Sequence, residues 1–239
     1  TTRELYQSAL KQSTSNPARA KETVDKGLRL VVQLEENGSR IRKRLANIDI
    51  ARSNALAAGA TNFLTNEFAE ADEDLADISR NIEKNPDAKP DSAGEELVQI
   101  YKNIELRSLK LSVLGRADAS LNLANERDLA DYAPKTMRLA EEEYLLGTSV
   151  LNADRTQTEQ ASVHAANVIR HIEHAELLTE RIKQLQESEA TLEDILLWHE
   201  QQLTTATQTL GTEPPFEKGF AGLVLATKSG IEALQADNR

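Results

Sequence analysis

"GATNFLTNEFAEADEDLADI" (Gly59–Ile78) and "DLADYAPKTMRLAEEEYLLG" (Asp128–Gly147) lie 69 residues apart and align without a gap. Phe63 falls on Tyr132 and Ala71 on Ala140, with an acidic cluster after each alanine. In both copies the aromatic is soon followed by a residue that restarts a helix, Thr65 in the first and Pro134 in the second. Pro134 disfavours helical geometry at Ala133 and suits the first turn of a new helix. "YAP" therefore reads as a helix-to-helix corner with Tyr132 capping the apolar seam. A proline kink in one continuous helix is the competing reading. A chain that repeats such a corner is expected to be all-α.

Composition agrees. Of 239 residues, 39% are apolar, 4% aromatic and 28% charged, as in long helices with narrow apolar seams. "SNPARAKE" opens the first clear helix, with Asn16 as N-cap and Pro17 at the first helical position. Val31, Leu34, Gly38, Ile41, Leu45, Ile48, Arg52 and Ala55 then step by three and four. That seam crosses "ENGSR" (Glu36–Arg40), which favours a kink there over a turn.

"NPDAKPDSAGEE" (Asn85–Glu96) is a loop, and Ser92 with Glu95 forms a capping box for the next helix. "LNADRTQTEQ" (Leu151–Gln160) is a second break, with Thr156 and Glu159 as another box. From Ala161 to Leu210 one seam runs through His164, His171, Glu189 and His199 for about seven heptads, predicting a single long helix. The expected fold is an elongated antiparallel helical bundle of about five long helices with coiled-coil-like packing over 1–210. Within it lies a weak repeat at about 50–85 and 115–155, and 211–239 form an irregular tail or the start of a further segment.

A net charge of −11 argues against nucleic acid and against an anionic lipid surface. "RIRKR" (Arg40–Arg44) is the one dense basic cluster and reads as a solvated helix face. No cysteine is present, which excludes disulfides and thiolate chemistry. No apolar run approaches the ~20 residues of a membrane span. His171 and His174 are three apart, but the position three before His171 is Val168, where a bundle metal site needs glutamate. The acidic runs lack the ligand alternation and glycine of a calcium loop. No metal, cofactor or catalytic residue is expected. The candidates for interaction or structure are Tyr132, Pro134, His164, His171, Glu189, Trp198 and His199. Histidines on the seam, with Glu189 as its only acid, either make packing respond to pH near 6 or lie partly solvated at the edge of a wide apolar face.

The alanine-rich helix, the tyrosine-alanine-proline corner and the restart "KTMRLAEEEY" resemble the DUF4398-type helical domain of Gram-negative envelope proteins. The likeness covers about residues 115–185 and rests on Tyr132, Ala133, Pro134, Leu139 and Ala140. It implies a periplasmic, cell-envelope module of the kind found upstream of an OmpA-like peptidoglycan-binding domain. Such a module belongs to an outer membrane lipoprotein when a removed N-terminal lipid anchor attaches it. Nothing in the sequence resembles the peptidoglycan-binding segment itself, so peptidoglycan would be reached only through another part. The expected function is a non-enzymatic spacer, scaffold or protein-docking surface, with a protein partner or self-association and no membrane insertion by this segment. The alternative is a periplasmic helical-bundle ligand-sensing domain like those of chemoreceptors.

Overall fold

Capping and proline placement divide the chain into helices. The computed structural model describes residues 2–13, 16–85, 92–213 and 215–237; among these it contains ten α-helices and no strand. They are α1 (Thr2–Gln12), α2 (Pro17–Ala57), α3 (Ala60–Phe63), α4 (Thr65–Lys84), α5 (Ser92–Glu126), α6 (Leu129–Tyr132), α7 (Pro134–Ala153), α8 (Thr158–Glu187), α9 (Leu192–Thr209) and α10 (Gly219–Asp237). The protein is an all-α helical bundle. At the start of α2, Asn16 Oδ1 accepts from the Arg19 N–H at 3.2 Å and Pro17 occupies the first turn. The helix then continues unbroken through Glu36–Arg40, so that stretch is not a turn.

The 69-residue period of the sequence is also a period of the backbone. Shifted by 69 residues, α3 coincides with α6 and α4 with α7 at both of their ends. The corner ahead of each short helix turns on one residue in the left-handed region, Gly59 (φ 86°) in the first copy and Asp128 (φ 55°) in the second. Their N–H groups donate to Leu56 O and Asn125 O, both at 3.0 Å, closing the end of the preceding helix. Buried positions repeat as well: Leu45 and Leu114, Ile48 and Ala117, Ala55 and Ala124, Phe68 and Met137, Ala71 and Ala140, Ile82 and Leu151.

Two compact units make up the chain, Thr1–Ala130 with Pro134–Glu173, and Asp131–Ala133 with His174–Arg239. In the first unit α4 runs antiparallel to α2 and α5, since Asp72 meets Arg52 while Ile82 lies near Ile41. One core gathers Leu45, Ile48, Phe68, Ile82, Leu97, Tyr101 and Ile104 from α2, α4 and α5. Further along, Leu114 of α5 meets α7 and α8 around Gly147, where a Cβ would lie 3.0 Å from Leu114 Cδ2 and 3.2 Å from His164 Cβ. Helix α5 thus supplies its first half to one three-helix bundle and its second half to the next. In the second unit α9 and α10 pack with Leu223 fully buried and a hydroxyl contact of 3.1 Å between Thr207 and Thr227.

Three expectations about boundaries are corrected. The seam from Ala161 to Leu210 is not one helix: α8 ends at Glu187 and α9 begins at Leu192. Glu189 sits at φ 50° in the intervening turn, and the Ala190 N–H donates to Leu185 O at 3.1 Å. Thr191 and Asp194 then cap each other's backbone, a box that opens α9. The turn happens to keep the three-four phase, so periodicity alone passes over it. Thr156 does not cap α8, because its N–H and hydroxyl both donate to Asp154 Oδ1 and the helix starts at Thr158. The tail is not irregular, since Gly219–Asp237 is helical. Of the loop over Asn85–Glu96, residues 86–91 lie outside the described residues, and α5 opens at Ser92.

Candidate functional site

Tyr101 is the largest fully buried side chain, and its hydroxyl must find an acceptor away from water. It donates to Asp72 Oδ1 at 2.6 Å, while Arg52 donates Nε and Nη2 to the two oxygens of the same carboxylate, each at 2.7 Å. The fork geometry of arginine fits this two-point contact. The Arg52 guanidinium also stacks 5.3 Å from the Phe68 ring centre, and Phe68 meets Tyr101 edge-on at 5.8 Å. Arg52 holds the Asp72 carboxyl below its usual range, and Tyr101 adds to that. Burial, then the neighbouring carboxylate, pushes the Tyr101 hydroxyl well above the ordinary tyrosine value. One residue each from α2, α4 and α5 is thereby tied at a single point. Asp72 accepts from both neighbours at once, so the cluster acts as a helix clamp.

The second copy lacks this clamp and makes a different polar contact. Leu121 stands in the place of Arg52. Glu143 Oε2 of α7 instead accepts from His164 Nδ1 at 2.7 Å and from the Asn167 amide at 3.1 Å, both on α8. The His164 contact holds the Glu143 carboxyl below the usual carboxylate range, with Asn167 assisting against desolvation. His171 lies close enough to act on Glu143 through its charge.

The four histidines do not form one buried seam. His164 is partly buried, but its acid comes from α7 and is not Glu189, which is exposed in the α8–α9 turn. His199 is exposed, and His171 is half-buried. Because Glu143 ionises at lower pH when folded than when unfolded, its stabilisation is complete above the unfolded pKa and is lost as pH falls through the folded value. Glu143→Gln is expected to flatten the loss of melting temperature below about pH 4.5. A profile parallel to the wild type would contradict the pairing.

Tyr132 ends α6 half-buried, with Lys183 Nζ 4.6 Å from its ring centre. Pro134 is the first residue of α7, and Ala133 between the two helices is buried and non-helical, so the corner reading holds. The first copy makes the same corner with Leu64 and Thr65 and no proline. Pro134→Ala is accordingly expected to cost about 1 kcal/mol or less and to leave helicity unchanged. A rise in the far-UV helical signal would show that proline alone holds the corner.

In the second unit Trp198 is 46% exposed beside a cleft of about 630 Å³ with Leu178, Ile182, Leu185 and Ile195. Arg181 lies 5.0 Å from the indole centre and His199 meets it edge-on at 4.9 Å. Sequence reading singled out Trp198 and placed Tyr101 on a helix seam, but missed the pairings of Asp72 and Glu143, because a pairing between helices leaves no spacing pattern along the chain. Among the described residues no group of three or more His, Asp or Glu side chains is placed to hold a metal ion, and no helix is long and apolar enough to cross a membrane. No protein-family model, no curated protein and no solved structure matches this chain.

Proposed function

We propose that this chain is a non-enzymatic helical scaffold, a spacer or protein-docking module of the bacterial cell envelope. The observation that supports it most is the 69-residue period, in which α5 continues from one three-helix bundle into the next. A repeat of this kind adds length and surface with each copy, and its stability comes from contacts between neighbours. The polar groups at helix crossings bind helices to one another, as Asp72 and Glu143 do. The likeness of the "YAP" corner to DUF4398-type envelope domains is the reason for preferring the periplasm and a neighbouring OmpA-like, wall-binding part.

A second reading, a ligand-sensing bundle, is favoured by the cleft beside Trp198, whose volume of about 630 Å³ falls within the range of small-molecule sites. A thermal-shift screen with amino acids, dicarboxylates, sugars and divalent cations separates the two. A scaffold is expected to show no shift above about 1 °C at millimolar ligand. A shift of several degrees with one compound, abolished by Trp198→Ala, would replace the scaffold reading with the sensor.

A further inference from the structure

The seam of α2 is covered over only part of its length. Leu45, Ile48 and Ala55 lie in the first core, whereas between Ala20 and Leu45 no residue of α2 is fully buried. The same register in two other helices shows what such a stretch packs against. Ala20, Val24, Gly27 and Val31 step by four, three and four after the start of α2. So do Leu97, Tyr101, Ile104 and Ser108 in α5, and Ala161, Ala165, Val168 and Ile172 in α8, all of which are buried. In α2 the position of Tyr101 is held by Val24, 45% exposed, and Leu28 beside it is 59% exposed.

Among the described residues this stretch lacks one of the two neighbours that the others have. The face on α5 is enclosed by α2 on one side and α4 on the other. The face on α2 meets α1, through Thr23 donating to Gln12 at 3.2 Å and Leu5 lying over Gly27. Its other flank, where Val24 and Leu28 are exposed, is open among the described residues. In the two closed bundles that flank is filled by a helix running parallel, with leucine, a second apolar residue three on and alanine seven further. These are Leu45, Ile48 and Ala55 in the first, and Leu114, Ala117 and Ala124 in the second. The open flank stands in the same register as those two, so the same kind of helix fits it.

We propose that the Val24–Leu28 flank of α2, beside α1, is a docking site for one amphipathic helix of a partner protein, carrying a leucine-alanine face like that of Leu114–Ala124. This rests on the scaffold reading and names the surface that the scaffold offers. The test uses the full chain and a fluorescent peptide of residues 110–126 as probe. Saturable binding is expected, with amide exchange over residues 20–31 slowed at least about tenfold by excess peptide. Val24→Asp with Leu28→Asp should abolish both effects without changing the melting temperature, since both side chains are exposed. A peptide carrying Leu114→Asp and Leu121→Asp should not bind, which keeps the test intact if the chain variant fails to fold.

Absence of saturable binding, or binding that survives both sets of substitutions, overturns the proposal. Self-association of the peptide-free chain that Val24→Asp with Leu28→Asp abolishes would assign the flank to a second copy instead. Pelleting with phosphatidylglycerol-containing vesicles that the same change abolishes would assign it to lipid. A chain that ignores the peptide yet tolerates in-phase removal of residues 60–128 loses this proposal and keeps the repeat-scaffold reading.

Discussion

Tyr101→Ala is expected to destabilise the protein by about 3–5 kcal/mol, the range for removing a buried aromatic ring from a packed core. The ring is fully buried between α2 and α4 and meets Phe68 edge-on. Its loss leaves a cavity at the point where three helices join, and takes the hydroxyl from Asp72 as well. Tyr101→Phe isolates the second effect and is expected to cost about 0.5–1.5 kcal/mol. The Arg52–Asp72 pair should contribute less than the ring, because both side chains are about one-third exposed, at 35% and 33%, and solvent screens them. Urea midpoints for the two variants test this order. Equal losses would mean that the hydroxyl, not the ring, holds the bundle.

Gly147→Leu is expected to cost about 1–3 kcal/mol by overpacking. A Cβ at this position already lies 3.2 Å from His164 Cβ, which is anchored directly to α8, and 3.0 Å from Leu114 Cδ2, a tip that can rotate. Gly147→Ala should be close to neutral, because crowding is offset by a helix-propensity gain of about 1 kcal/mol over glycine. The first copy carries Ile78 here, and Ile48 where the second carries Ala117. The two bundles reach closure with different side-chain sizes, the second through close approach of small residues. If Gly147→Leu melts like the wild type, α7 and α8 do not approach as described.

The all-α class, the corner at Ala133 and the helix start at Pro17 were all legible in the sequence, since each depends on neighbours along the chain. Proline geometry, a capping side chain and three-four spacing act within a few residues. The break at Glu189 escaped because its turn preserved the seam's phase and because a non-glycine residue adopts the left-handed conformation there. The helix at Gly219–Asp237 was hidden behind "TEPPFEKG", whose prolines and glycine suggested irregularity further than they imposed it. The clamp of Arg52, Asp72 and Tyr101 joins residues 20 and 29 positions apart, and the His164–Glu143 contact spans 21. Such contacts become visible only when the turns fix how the helices run past one another. Arg52 stood on a recognised seam, and its charge there was a hint of an acidic partner on a facing helix.

The central claim is that the 69-residue period is a structural unit. Deleting residues 60–128 joins Gly59 to Leu129, so that α2 enters the second corner in register and α7 and α8 close the bundle that α4 and α5 closed before. Arg52→Leu should accompany the deletion, because Leu121 fills the equivalent place in the second copy. Circular dichroism and thermal melting of this variant provide the most direct test, beside a control deleting residues 60–126 that leaves two residues out of phase. The in-phase deletion is expected to keep its helicity per residue and to melt cooperatively, and the control to lose both. If the in-phase deletion is unfolded, or no better than the control, the period is a likeness of sequence and not a unit of the fold.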